Sequence, residues 1–177
     1  MSSIVFSFGR MNPPTKGHEK LVSKVLEIAK IKSADHMIYL SQIQKAGTDP
    51  LEWNFKRRVC EAAFKGVNMS SEISIKTPFQ ALELLCEKYD DIYFVVGSDR
   101  IANFRERMTP YAKQWGSKLS IISSGRRTLH ESDVSGVSSS KTRLYATTGS
   151  KDKFMESMPS TLSKEIKNLV YRNIRKV

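Results

Sequence analysis

Between an apolar run ending at Phe8 and a helical pattern beginning at Gly17, the chain reads "GRMNPPTKGH", Gly9 to His18. Gly9 follows a strand-like segment and lets the backbone turn where a side chain would obstruct. Gly17 stands where a helix starts, and a helix start offers unpaired N–H groups and a positive dipole end to an anion. Thr15 and His18 are three residues apart there, so both can face one phosphate. The loop matches neither G-x-G-x-x-G nor G-x-x-x-x-G-K-[ST], so it is not a dinucleotide fingerprint or a P-loop.

The surrounding elements must hold that loop in place. "IVFSF" (4–8), "HMIYL" (36–40), "EISIK" (72–76), "DIYFVVG" (91–97) and "KLSIIS" (118–123) read as strands. Helical patterns separate them. Leu21, Val22, Val25, Leu26, Ile28 and Ala29 recur at helical spacing in the first. Pro50, with Asp49 as cap, is expected to open the second, through "LEWNFKRRVCEAAF". Pro78 opens a third and "DRIANFRERM" a fourth. A long polar stretch, "SGRRTLHESDVSGVSSSKTRLYATTG", ends in a short helix. Alternating strands and helices predict an α/β fold with about five parallel strands and right-handed crossovers. Residues 1–150 are expected to form the domain, and 151–177 a C-terminal helical appendage of it. Leu162, Ile166, Leu169, Val170 and Ile174 share one face there and are expected to pack on the sheet, with closure over the phosphate site or a subunit contact as alternatives. Ligands in such folds lie beyond the carboxyl ends of the strands, where strand order reverses.

Composition narrows the classes. The chain has 177 residues, 40% hydrophobic and 27% charged, values of a soluble globular domain with a real core. No apolar run approaches the roughly 20 residues of a membrane helix. The N-terminus has no basic flank followed by an apolar stretch, so the cytoplasm is the expected compartment. Cys60 and Cys86 sit inside helical patterns and read as plain thiols. His36 and His130 lack partners at ligand spacing, and no protein-bound metal is expected. The net charge of +11 suits phosphate-bearing ligands or nucleic acid. The basic residues are scattered, which weakens the nucleic-acid reading.

"GRMNPPTKGH" resembles the first motif of the nucleotidyltransferase superfamily, (His or Thr)-x-Gly-His, here Thr15-Lys16-Gly17-His18. The run is especially similar to that of small phage-encoded members. "GVSSSKTR" (136–143) resembles the family's I-S-S-T-x-x-R, with Val137 for isoleucine and Ser140 for threonine. "VVGSDR" (95–100) resembles its G-x-D after the fourth strand. The three stand in the family's order and cover roughly residues 4 to 147. The resemblance implies a Rossmann-like doubly wound fold and an enzyme that joins a nucleoside triphosphate to an acceptor phosphate, releasing pyrophosphate.

It also implies roles. His18 would donate to an α-phosphate oxygen and Thr15 would contact the phosphates. Ser139 and Arg143 would hold the outer phosphates, where an arginine offers a planar fork. Gly9, Arg10, Gly17, Gly97, Asp99, Ser138 and Ser140 would complete the nucleotide site. A magnesium ion would bridge phosphate oxygens and needs few protein ligands. Lys45 and Lys56 lie where relatives carry phosphate-binding basic residues, but no motif aligns them, and both read as surface residues.

The threonine variant of the first motif and the compact size resemble adenylyltransferases of the nicotinamide-nucleotide kind. The expected substrates are therefore ATP and a phosphorylated small acceptor, nicotinamide mononucleotide first. "TPFQALELL" lacks the fuller tyrosine- and threonine-bearing pattern of many such enzymes, and neither Trp53 nor Trp115 can be assigned to stack on a nicotinamide ring. Cytidylyl transfer from CTP is the enzymatic alternative. A nucleic-acid binder on the same fold is the alternative from another class.

Overall fold

The strand β1 (Ser3–Gly9) is buried from Ile4 to Ser7 and lies inside a four-stranded parallel sheet of order β2-β1-β3-β4. The other strands are β2 (Asp35–Leu40), β3 (Asp91–Val96) and β4 (Lys118–Ser123). β1 pairs with β3 in register Ser3 to Asp91, and β3 pairs with β4 from Asp91 and Lys118 onward. The structure is a computed structural model and describes residues 1–125 and 137–177. Seven α-helices accompany the sheet among these residues: α1 (Lys16–Lys32), α2 (Trp53–Ala63), α3 (Pro78–Cys86), α4 (Ile101–Gln114), α5 (Ser139–Thr147), α6 (Lys151–Ser157) and α7 (Lys164–Arg175). The middle of the long polar stretch, with Gly136 of the second motif and His130, lies outside the described residues.

The sheet has four strands, not about five. "EISIK" does not form one, because side chains take its backbone donors. Glu72 accepts from the N–H and hydroxyl of Ser74, while Gln80 accepts from the N–H groups of Lys76 and Thr77. The chain makes a single bridge to β2 before this point, Ile38 with Met69. Gln80 and Thr77 form a capping box that, with Pro78, opens α3.

The described chain divides into two compact units. One comprises Met1–Gly9, Leu21–Tyr39 and the chain from Val67 through β4; the other comprises Arg10–Lys20, Leu40–Gly66 and the chain from Val137. The core of the first joins Ile4, Phe6, Ile92 and Phe94 of the sheet to Leu82 and Leu85 of α3 and Met108 and Ala112 of α4. Phe6 stacks on Phe94 with ring centroids 4.4 Å apart, and Phe104 meets Phe94 edge-on at 5.1 Å. Strand order reverses between β1 and β3, and Gly9 and Gly97 stand at the carboxyl ends there.

In the second unit α5, α6 and α7 pack on one another. Phe154 meets Tyr171 at 5.1 Å, Val170 and Ile174 are buried, and Arg175 donates to the Ala146 carbonyl. The C-terminal segment thus packs through its apolar face on α5 and α6 and not on the sheet as expected, although Leu169 on that face is exposed. Cys60 is buried and Cys86 half-buried, both as free thiols. Among the described residues no helix is long and apolar enough to cross a membrane.

Candidate active site

The loop after β1 enters the second unit at Arg10 and turns at Met11, which adopts φ 43°, the left-handed region that favours glycine. Gly9, the residue expected to make this turn, is not among those with positive φ. Met11 is held there by burial, with its sulfur 4.0 Å from the Cys60 sulfur. The Asn12–Pro13 peptide is cis. Asn12 is fully buried and its amide donates to the Leu51 carbonyl at 3.2 Å while accepting from the Leu51 N–H at 3.0 Å. One side chain thereby does the work of a β-bridge.

Thr15 stands just before α1, and His18 is the third residue of the helix. His18 N–H donates to the Thr15 carbonyl at 2.9 Å, and Thr15 N–H donates to His18 Nδ1 at 2.9 Å. The second bond is one half of a capping box, with an imidazole where Glu or Gln usually sits, while the His18 N–H goes to the Thr15 carbonyl and not to its hydroxyl. It gives the Thr-x-Gly-His spacing a physical cause: only the third helical position lets a side chain reach back to the cap. Because Nδ1 accepts, the ring proton of the neutral imidazole sits on Nε2, which makes that atom a donor. The Thr15 hydroxyl lies 3.0 Å from Nδ1 and donates to the Val137 carbonyl at 2.9 Å.

That last bond is one of three side-chain ties between the first loop and the start of α5. Ser139 donates to the Pro13 carbonyl at 2.8 Å, and Arg143 Nη1 donates to the Asn12 carbonyl at 2.6 Å. Ser138 caps α5 by accepting from the Lys141 N–H, and Ser140 accepts from Arg143 Nη2. Arg143 Nε donates to the Gly47 carbonyl at 3.0 Å. The guanidinium therefore spans three segments of this unit. Residues 12–15 of the first loop and residues 137–143 therefore meet. Gly9, Gly97 and Asp99 belong to the sheet unit, at the ends of β1 and β3. Asp99 is exposed within a 3₁₀ turn, Ser98–Arg100, and makes no side-chain cap there. Gly97 has φ −61°, so any need for glycine there is one of clearance.

A third segment, residues 41–51, completes this group. It follows β2, turns at Gly47 with φ 81°, and is closed by the backbone bonds of Lys45 with Asp49. α2 starts at Trp53 with Glu52 as its cap, accepting from Asn54 and Phe55, and not at Pro50 with Asp49. Asp49 instead is buried, with Arg10 Nη1 3.8 Å from its Oδ2. Lys56 is fully buried and donates to the Ser41 carbonyl at 2.7 Å, which corrects its reading as a surface residue. Burial pulls its pKa down to about 8, while the Cys60 thiol is pushed up to about 12 by its own burial. Burial also lowers the pKa of Arg143, against the pull of Asp49.

Asn12, Asp49 and Lys56 are the residues that sequence reasoning missed. Lys56 had a legible signal, because it shares helical spacing with Val59, Cys60 and Ala63, all buried. Asp49 was visible only as a helix cap. Asn12 gave no signal, because its partner is 39 residues away.

The sequence matches no family model and no curated protein. Solved structures do match the fold. A Plasmodium falciparum nicotinic acid mononucleotide adenylyltransferase complexed with NaAD aligns with TM-score 0.61 and 15% identity, over 99% of this chain and 96% of its own. A Vibrio parahaemolyticus protein assigned as a nicotinate-nucleotide adenylyltransferase gives 0.59 and 18%, over 96% and 99%. Thermotoga maritima TmcAL bound with alpha-thio ATP gives 0.59 and 12%, over 99% of this chain and 56% of that one. At these identities the likeness is one of fold: this chain has the α/β, Rossmann-like architecture of those nucleotide-binding structures.

Proposed function

We propose that this protein is a nucleotidyltransferase that moves a nucleoside monophosphate, AMP from ATP, onto a phosphorylated small acceptor and releases pyrophosphate. The observation that carries the reading is the bond from the Thr15 N–H to His18 Nδ1 at the start of α1, which sets Nε2 of His18 as a donor beside a helix N-terminus. In the reaction an acceptor phosphate oxygen attacks the α-phosphorus in line. The new P–O bond forms as the bond to the pyrophosphate oxygen breaks, and pyrophosphate leaves with the electron pair. No protein nucleophile takes part, so catalysis is positioning plus neutralisation of charge on the phosphoryl oxygens. His18 donates to an α-phosphate oxygen. The first turns of α1 and α5 offer N–H groups, and Arg10 and Arg143 supply cationic charge. Gly17, Ser138, Ser139 and Ser140 complete the phosphate side of the nucleotide site in this reading.

The described residues do not build a magnesium cage: no cluster of three acidic, histidine or cysteine side chains occurs among them. The one buried carboxylate of this group, Asp49, lies in the field of Arg10, Lys56 and Arg143. Magnesium would therefore arrive on the triphosphate as its counter-ion, and no step above depends on a protein-held metal.

Two of the structural neighbours are described as nicotinic acid mononucleotide or nicotinate-nucleotide adenylyltransferases, which supports a pyridine mononucleotide as acceptor and a place in NAD biosynthesis. The test is pyrophosphate release from four triphosphates against a panel of phosphate acceptors. Release with ATP and a nicotinamide or nicotinate mononucleotide is expected. Release with CTP alone would replace adenylyl by cytidylyl transfer, and none with any pair would overturn the reading.

A further inference from the structure

Lys56 is among the largest side chains with no solvent exposure, and it carries a charge that the proposed reaction does not use. Its ammonium has three donors, and one is met by the Ser41 carbonyl. Among the described residues no carboxylate comes within ion-pair distance of it. Burying a cation so sparsely partnered is costly. Asp49 shows the complementary deficit: Oδ1 is buried with no hydrogen-bond partner, and Oδ2 has only the loose contact with Arg10. The groups that face Lys56 are Cys60 on its own helix, Asp49 on the 41–51 segment and Arg10 on the first loop. Cys60 stays a neutral thiol, so Asp49 is the anion that balances Lys56 and Arg10 the cation that competes for it.

The 41–51 segment links these charges to the phosphate-facing residues. Ser41 opens it, Gly47 holds Arg143 Nε through its carbonyl, Asp49 faces Arg10, and Leu51 clasps Asn12. We propose that Lys56 is a positioning residue of the phosphate site: its buried ammonium anchors the Ser41 end of this segment and balances Asp49, so that Gly47 keeps Arg143 in place and Arg10 stays available to an anion. Lys56 itself does not touch substrate. Without its charge, Asp49 draws on Arg10 and Arg143 instead, and both are lost to the ligand.

The sign of the pH effect follows. Below about 8 Lys56 is charged in the folded protein, and above it the ammonium loses its proton. Anion affinity and turnover should therefore fall as pH rises through about 8. The inference rests on the proposed activity for its kinetic readout only, so the experiment carries a second one.

The full-length wild type, Lys56→Met and Lys56→Arg are compared between about pH 6.5 and 9.5, first by pyrophosphate release and then by calorimetric titration with inorganic tripolyphosphate. Lys56→Met is expected to lose at least about tenfold in kcat/KM for ATP, with KM raised because Arg10 and Arg143 no longer meet the ligand. Its tripolyphosphate affinity should be low throughout, while the wild type's declines relative to Lys56→Arg above pH 8. Wild-type kinetics, affinity and pH profile in Lys56→Met would overturn the inference and leave the transferase reading standing. Absence of pyrophosphate release from the wild type would overturn that reading, and the tripolyphosphate titration would still decide on Lys56. Should Lys56→Met not fold, Lys56→Arg decides alone: a fixed charge must hold affinity above pH 8 where the wild type loses it, and parallel curves overturn the proposal.

Discussion

In the sheet unit, Phe6 and Phe94 stack within a core built of apolar side chains from β1, β3, α3 and α4, and the strands are joined by backbone ladders. In the unit that carries Thr15, His18 and Arg143, the segments around those residues are joined instead by side chains bonded to backbone. Thr15 meets Val137, Ser139 meets Pro13, Arg143 meets Asn12 and Gly47, Asn12 meets Leu51, and Lys56 meets Ser41. Apolar burial is non-directional and strong in sum. Hydrogen bonds to buried carbonyls contribute little net stability each, but they fix direction, and losing one leaves a polar group unsatisfied. A scaffold can rest on the first kind of contact. The segments around Thr15, His18 and Arg143 are aligned by the second.

The comparison breaks most visibly at Phe94. Phe94→Ala removes a fully buried ring that touches Phe6 and Phe104, and should lower the unfolding free energy by about 3–5 kcal/mol. Urea unfolding reads this as an earlier midpoint. The molecules that stay folded should turn over at close to the wild-type rate, because the change touches none of the residues proposed to meet the phosphates. A loss of kcat larger than the loss of folded fraction would show that the core also tunes the site.

His18→Ala is the converse. On the proposed reaction it removes a donor to charge that builds in the transition state, and should cost at least about a hundredfold in turnover, with a smaller effect on nucleotide affinity. The stability cost should be that of a capping contact, about 1 kcal/mol or less. Steady-state pyrophosphate release and the urea midpoint, measured on one preparation, separate the two effects. A full-speed variant would remove His18 from the reaction.

What could be read from the sequence follows the same division. β1 and β3 were legible because a buried parallel strand is an apolar run, β4 as a shorter apolar run at the sheet's edge, and α1 because its apolar residues repeat at helical spacing. "EISIK" had strand composition and failed because Glu72 and Gln80, both polar and local, took its N–H groups. Composition could not weigh that competition. The contact between Thr15 and His18 follows from their motif spacing within one helical turn, whereas Arg143 reaches Asn12 and Gly47, 131 and 96 residues away. The partners of Asn12 and Lys56 lie 39 and 15 residues away, and such contacts leave no periodic trace. Met11 concealed a left-handed turn that Gly9 seemed to announce, because burial held a non-glycine residue there.

The smallest effects sharpen the comparison furthest, because two helix caps of similar strength lie one in each unit. Thr77 caps α3 in the sheet unit, and Ser138 caps α5 in the other. Replacing either by alanine should cost about 1 kcal/mol. Thr77→Ala should stop there, since α3 serves the core. Ser138→Ala loosens the turn that carries Ser139 and Arg143, and kcat/KM should fall several-fold. Ser138→Asn then separates cap from ligand: asparagine caps as well as serine, so full recovery of both stability and kcat/KM means that Ser138 acts by holding the turn. Recovery of stability alone means that its hydroxyl meets the phosphates directly, and the second motif would then bind as well as brace.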